Sequence, residues 1–391
     1  MKISHIETIP VRVPIKPDFA IRSGRGGAHL VSPFLIVKVY TDGGIVGLGE
    51  ASCTPRWSGE DQVTAAHFIN AYFAPLLVGE AVDDVERLRA KFSSTVAGNF
   101  FTKAAVEMAL WDIAGKTQGK PVFELLGDSS RHTPCAVADA ADGTRSVPAT
   151  LVVPTKWSIS GVEPAKATEI AVWAANQGFQ AMKVKVGIEP QSDLERTRAV
   201  REAVGAQVKL GVDANGGWPT PRVAIEMINR LFDECGIYFA EQPVAAGNES
   251  ALAEVRRNVS VPIIADESIW SLEDAKTLAR ADAADVFSIY IGKAGGIGPA
   301  REIARFAHSV GIQCTVGSNL ELGVGSAAMI HLALSAPAID TCSCDIIGPL
   351  FYEDDLLNDP LPISGGVARL PDGPGLGVEL DDEKVEKYRV R

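Results

Sequence analysis

Apolar and polar residues alternate over residues 3–14, with Ile3, Ile6, Ile9, Val11 and Val13 as the apolar set, and the run closes near Pro10 and Pro14. That period of two predicts a strand. The runs 34–40 and 44–50 flank Thr41-Asp42-Gly43-Gly44, a hairpin signal, because glycine supplies the positive φ of a tight turn. Helical spacing follows over 61–76, 82–95 and 99–117. The last carries Phe101, Ala105, Met108, Ala109 and Ile113 on one side and ends at a Gly-Lys-Pro break. A sheet followed by helices predicts an α+β domain over residues 1–130.

From about residue 150 short apolar runs alternate with amphipathic stretches. Strands are expected at 181–186, 207–212, 236–240, 261–265, 285–291 and 312–316, with a first near 149–154 and a last near 340–346. Helices are expected between them, for example at 164–177, 191–204, 221–234, 271–280 and 298–310. Eight even steps predict a closed α/β barrel over 131–346, with an open doubly wound sheet as the alternative. The tail, 347–391, is rich in Pro, Gly and Asp and is expected to complete the N-terminal domain.

Composition narrows the chemistry. With 391 residues, 46% of them hydrophobic, the chain can build two or three domains rather than a disordered array. Its 37 basic and 49 acidic residues give a net charge of −12, which disfavours nucleic acid and anionic membranes as partners. Six scattered cysteines (Cys53, Cys135, Cys235, Cys314, Cys342, Cys344) and the absence of CxxC, HxH and HExxH argue against zinc. Any metal is expected to be a hard ion held by carboxylates. The low cysteine density and the lack of a leader-like or spanning apolar block lead to a cytoplasmic expectation.

Lys185, Asp213, Glu241, Asp266 and Lys293 each follow an apolar run, at steps of 28, 28, 25 and 27 residues. One strand-helix unit has about that length, so the five are expected around one rim, at the carboxyl ends of the strands where barrel enzymes carry their sites. Asp213 taken alone reads better as a helix cap or turn residue, and Glu241 and Asp266 have the same alternative. Three at one barrel step read better as a site for Mg²⁺ or Mn²⁺. Glu267 is expected to point away from Asp266, by strand alternation. Lys183 and Lys185 flank Val184 and are expected to point into the barrel mouth, where an unpaired lysine is costly. Of the glycine-rich pieces, residues 23–27 read as a lid, and Gly295-Gly296-Ile297-Gly298 as a tight turn or an anion-binding helix start.

As an ordered set, TDGGIVGLGEA, ALWDIAGKTQGKPVFELLG, KVK, VDAN, EQP, ADES, GKAGG, GSNLELG, DIIGPL and PGLGVELDDEKVEKY resemble the enolase superfamily, within it the muconate lactonizing enzyme subgroup. The resemblance spans nearly the whole chain. It implies a modified TIM barrel, (β/α)7β, under an N-terminal α+β cap, and a homo-oligomer. It implies Asp213, Glu241 and Asp266 as metal ligands and Lys185 as general acid/base. Lys183 would meet the substrate carboxylate or enolate, and Lys293 would stand on the opposite face. Proton abstraction next to a small carboxylate, through an enolate, is the chemistry such a set performs. Muconate cycloisomerisation is the preferred outcome. Racemisation or epimerisation of an amino-acid derivative or dipeptide, and dehydration of an acid sugar, are the alternatives. Asp345 stands where the lactonizing enzymes carry Glu, and Ser343 breaks the Asp-x-Asp of dipeptide epimerases. Substrate or supporting contacts are expected from Asn215, Glu267, Asn319, Glu321, Asp345, Trp57, Arg22 and Arg25, an arginine suiting a second carboxylate.

Overall fold

The computed structural model describes residues 1–20, 22, 30–127, 151–339 and 343–390. Three antiparallel strands, β1 (Ile3–Pro14), β2 (Val31–Thr41) and β3 (Val46–Ser52), form a meander. Leu35, Val37 and Val39 pack on one face against helices that include Val85–Ser93 and Phe100–Gln118. Phe34 and Ile36 pack on the other, where Tyr352, Leu356 and Val385 of the tail cover them. Both faces are therefore dry, which explains why β2 reads as a near-continuous apolar run rather than an alternating one.

Close approach of β3 to the helix Phe100–Gln118 has a readable cause. A Cβ on Gly47 would lie 2.1 Å from the Ala109 carbonyl oxygen, and one on Gly49 would lie 1.8 Å from that of Ala105. The alternating glycines of GLGE let the strand lie directly on the helix backbone.

The second sheet has seven strands among the described residues, all parallel and each paired with its neighbours in chain order. A small antiparallel strand, β4 (Val152–Pro154), precedes it. The barrel strands are β5 (Trp157–Ile159), β6 (Ala181–Lys185), β7 (Lys209–Asp213), β8 (Ala240–Glu241), β9 (Ile263–Ala265), β10 (Val286–Ile289) and β11 (Gln313–Val316). Residues 343–345 supply the eighth position: Asp345 N donates to Val316 O, and Lys156 N donates to Cys344 O. The ring is closed by that segment, so the barrel expectation holds over the open sheet.

One expected strand is displaced. Val152–Pro154 does not open the barrel; it pairs with β13 (Val367–Arg369), itself paired with β12 (Ile363–Ser364). The first barrel strand lies just beyond, at Trp157–Ile159. The tail thus touches both halves of the molecule, since Val390 N donates to Pro10 O on β1.

Candidate active site

Strand alternation aims the site residues. On β6, Met182 and Val184 join the core between strands and outer helices, leaving Lys183 and Lys185 to project inward. The same holds on β10, where Phe287 and Ile289 face outward, while Val286 packs inside the barrel with Phe239 and Ile264. Asp213 and Glu241 end β7 and β8, and Asp266 follows β9 directly. All three carboxylates are 1% exposed.

Ammonium groups lie among them. Lys183 Nζ is 3.0 Å from Glu241 Oε1, 3.2 Å from Asp345 Oδ2 and 3.4 Å from Asp213 Oδ2. Lys185 Nζ donates to Asp213 Oδ2 at 2.6 Å and to Asn215 Oδ1 at 2.9 Å. Asn215 in turn donates to Glu267 Oε1 at 3.0 Å. Lys293 Nζ donates to Asp266 Oδ1 at 2.5 Å, to Asp266 O at 2.7 Å and to Ser288 O at 2.9 Å.

The charges are strongly interdependent. Burial opposes a charged Lys183, but Asp345, Glu241 and Asp213 outweigh it and hold the ammonium well above its ordinary range. Burial likewise opposes ionisation of Asp213, yet Lys185 and Lys183 bring its carboxyl down to about 2. Glu241 goes the other way. Burial pushes it up to about 8, with the neighbouring acids Asp213, Asp345 and Asp266 acting against Lys183.

Several expected residues meet here and others do not. Lys183, Lys185, Asp213, Asn215, Glu241, Glu267 and Asp345 form one connected network, and Asp266 pairs with Lys293. Glu267 lies behind this network: β9 stops at Ala265, and the Glu267 carboxylate reaches Lys185 through Asn215. Lys293 needs correction as a strand-end residue. β10 ends at Ile289, and Lys293 belongs to the short helix Ile291–Ala294 that follows. Asn319 and Glu321 serve the seam with the cap instead. Asn319 Nδ2 donates to Ser52 Oγ and Thr54 Oγ1, and Glu321 accepts from Ser318 Oγ and Asn319 N. Arg22 has an exposed side chain, while its backbone binds Ser160 and Gly161. Arg25 and the rest of the expected lid, 23–27, lie outside the described residues.

Trp57 reaches the rim from the cap. It stacks on Tyr290 with ring centroids 5.2 Å apart and on Trp270 at 5.6 Å. The glycine-rich start of the helix Ile297–Ser309 does not offer an anion site: Glu107 of the cap fills it, accepting from Ile297 N at 2.7 Å and Gly298 N at 2.8 Å.

Two rim residues escaped the sequence reading. Lys156, 1% exposed, lies 3.0 Å from Asp345 Oδ2 and donates to Ser343 O. Its signal was the alternation Lys156-Trp157-Ser158-Ile159, which puts the lysine on the inner face. Tyr290 donates its hydroxyl to Asp266 Oδ2 at 3.1 Å.

The donor set suits a hard divalent ion in kind: three buried carboxylates from successive strands, with no sulfur or nitrogen among them. Among the described residues no three acidic, histidine or cysteine side chains close around one metal-sized point. Lys183 and Lys293 occupy the carboxylates instead, so holding an ion would require those ammoniums to give way.

Comparison with known proteins agrees with this architecture. Residues 6–127 match the mandelate racemase / muconate lactonizing enzyme N-terminal domain, and residues 166–385 match the enolase C-terminal domain-like family. The N-succinyl-L-Arg/Lys racemase of Bacillus cereus is 31% identical over 390 residues, 100% of this chain and 98% of that protein. Its crystal structure superposes with a TM-score of 0.90, covering 100% and 99% of the two chains. A chloromuconate cycloisomerase of Cupriavidus pinatubonensis is 33% identical over 93% of this chain and 92% of its own. A dipeptide epimerase from Cytophaga hutchinsonii, complexed with Mg and D-Ala-L-Val, is 29% identical with a TM-score of 0.88, covering 99% and 98% of the chains.

Proposed function

The chain belongs to the mandelate racemase / muconate lactonizing enzyme family of the enolase superfamily, and from that premise we propose that it isomerises a small carboxylate through an enolate, with Lys185 moving the proton. The observation that carries this reading is the graded exposure of the rim lysines. The Lys185 side chain is 12% exposed, against 4% for Lys183 and none for Lys293. Lys185 is the ammonium open to the barrel mouth, and its two partners, Asp213 and Asn215, fix its direction. A general acid/base must lie within reach of the proton it moves, and such groups contribute roughly 10²–10⁴-fold.

The neighbouring residues supply charge and orientation. Lys183, held protonated among three acids, is placed to accept negative charge developing on the substrate carboxylate. Asp345, fixed by Lys156, keeps Lys183 in place. A divalent ion, Mg²⁺ or Mn²⁺, held by Asp213, Glu241 and Asp266, would stabilise the carboxylate oxygens as the enolate forms. Trp57, half-buried and stacked on Tyr290, brings the cap to the rim.

Cycloisomerisation of a muconate-like acid is our preferred outcome, supported by full-length likeness to a chloromuconate cycloisomerase. Racemisation of an acylated amino acid or dipeptide is the second reading, supported by the racemase from Bacillus cereus. Proton NMR in D₂O with Mg²⁺ separates them. Loss of olefinic signals from cis,cis-muconate marks the first, and α-proton exchange in N-succinylarginine or L-Ala-L-Glu marks the second. Lys185→Ala should abolish either; retained turnover in that variant would remove Lys185 from the proton path.

A further inference from the structure

We infer that Lys156 is a specificity-determining residue: it takes up the charge of Asp345, so that the mouth accepts acids without a free ammonium and rejects those that carry one. This rests on the enolate reading above and narrows the acids that reading admits to dicarboxylates and N-acylated amino acids.

Strand alternation places Lys156 inside the barrel. In Lys156-Trp157-Ser158-Ile159 the period of two sends Trp157 and Ile159 outward, into the core beneath the helices, and Lys156 and Ser158 inward. The lysine is 1% exposed, so its ammonium must be paired. Its Nζ donates to Ser343 O at 2.7 Å and to Thr315 Oγ1 at 3.3 Å, and lies 3.0 Å from Asp345 Oδ2. Thr315 Oγ1 in turn donates to Ser343 O at 2.9 Å. The backbones run in step beside it: Lys156 N donates to Cys344 O, and Asp345 N to Val316 O. The lysine therefore closes the ring between β5, β11 and residues 343–345. None of its partners is Asp213, Glu241 or Asp266, so it stands apart from the groups that would hold an ion.

Asp345 is the carboxylate left over at the mouth. Asp213, Glu241 and Asp266 form the donor set for the ion, and Glu267 is tied to Asn215. A lone carboxylate in that position would draw a substrate ammonium. Here Oδ2 already faces Lys156 at 3.0 Å and Lys183 at 3.2 Å. Burial opposes an ionised Asp345, and Lys156 is the foremost of the groups that outweigh it and bring the carboxyl below its ordinary range. Oδ1 is buried and has no hydrogen-bond partner among the described residues. A neutral donor, the amide N–H of an acylated amine or a water, satisfies that oxygen. An ammonium would instead be a third cation on one buried carboxylate, with its own hydration lost.

Two matched pairs of ligands isolate that charge: adipate against ε-aminocaproate, and N-acetyl-L-Ala-L-Glu against L-Ala-L-Glu. Titration calorimetry on the Mg²⁺-loaded, full-length protein reads each affinity without turnover. In each pair the member lacking the ammonium should bind about tenfold more tightly or better. Lys156→Met frees Asp345 and should bring that ratio to one or below, whereas Asp345→Asn leaves Lys156 uncompensated and should raise it. The double variant removes the buried pair as a unit, which proteins tolerate better than losing one partner, and should return the wild-type ratio. Asp345→Asn and the double variant carry the test even if Lys156→Met does not fold. A lysine with only a structural role would weaken both members of a pair alike and leave the ratio unchanged. That result overturns the inference, as does equal binding within the wild-type pairs or binding of none of the four ligands. If N-succinylarginine, N-acetyl-L-Ala-L-Glu and cis,cis-muconate all bind yet show neither α-proton exchange nor olefinic loss in D₂O, the enolate reading falls and the charge preference stands.

Discussion

Lys183 shows how much one side chain carries at the rim. It faces Asp213, Glu241 and Asp345 in a buried setting, where removing one partner of an ion group leaves charge uncompensated. Lys183→Met should therefore destabilise the metal-free protein by about 3–5 kcal/mol, measured as a lower urea midpoint at unchanged m-value. His331 offers a second test at this scale. It is fully buried, burial lowers its pKa to about 4, and its Nδ1 accepts from Phe123 N at 3.1 Å. The unfolded chain takes up that proton near pH 6.5, so this contribution to stability is present above pH 6.5 and is lost as pH falls toward 4. His331→Gln should flatten that part of the Tm-against-pH curve, and an unaltered slope would assign it to another group.

Elements meet through carboxylates placed on helix starts. Glu107, on the cap helix Phe100–Gln118, accepts from the first N–H groups of the barrel helix Ile297–Ser309. Glu50, on β3, accepts from Leu322 N and Gly325 N at the start of the helix Gly323–Ser335. Burial pushes Glu107 up to about 7 and Glu50 up to about 8. Here the sign is opposite to that of His331: the folded state holds these protons more tightly, so their effect favours stability at low pH and fades as pH rises from about 4.5 through 7–8. Glu107→Ala should cost about 2–4 kcal/mol in chemical unfolding, because two buried N–H groups lose their acceptor. Gly49→Ala should cost about 1–3 kcal/mol, since β3 must move off the Ala105 carbonyl. The short barrel strands were legible in their spacing, but their ends were not. β10 stops at Ile289 while apolar residues run on to Ile291, and periodicity does not mark where a strand becomes a helical turn.

At the scale of the whole molecule, cap, barrel and tail share contacts that no segment could satisfy alone. The cap sheet is covered on one face by Tyr352, Leu356 and Val385 of the tail, and Glu50 of that sheet and Glu107 of the cap helix complete barrel helices. The expected measurement is one cooperative unfolding transition, with tryptophan fluorescence and far-ultraviolet circular dichroism coincident in urea. Two resolved steps would show that cap and barrel unfold separately.

The sequence by itself determined the barrel step, the acids at its rim and the inward pair Lys183 and Lys185, because strand period and strand-helix length are local properties written in the order of residues. Tertiary structure alone decided which groups share the mouth. Lys156 enters because residues 343–345 close the ring and bring Asp345 to it. Tyr290 and Lys293 both meet the Asp266 carboxylate because β10 ends at Ile289 and a short helix follows it. Those are contacts between segments far apart in the chain, and no periodicity along the chain encodes them.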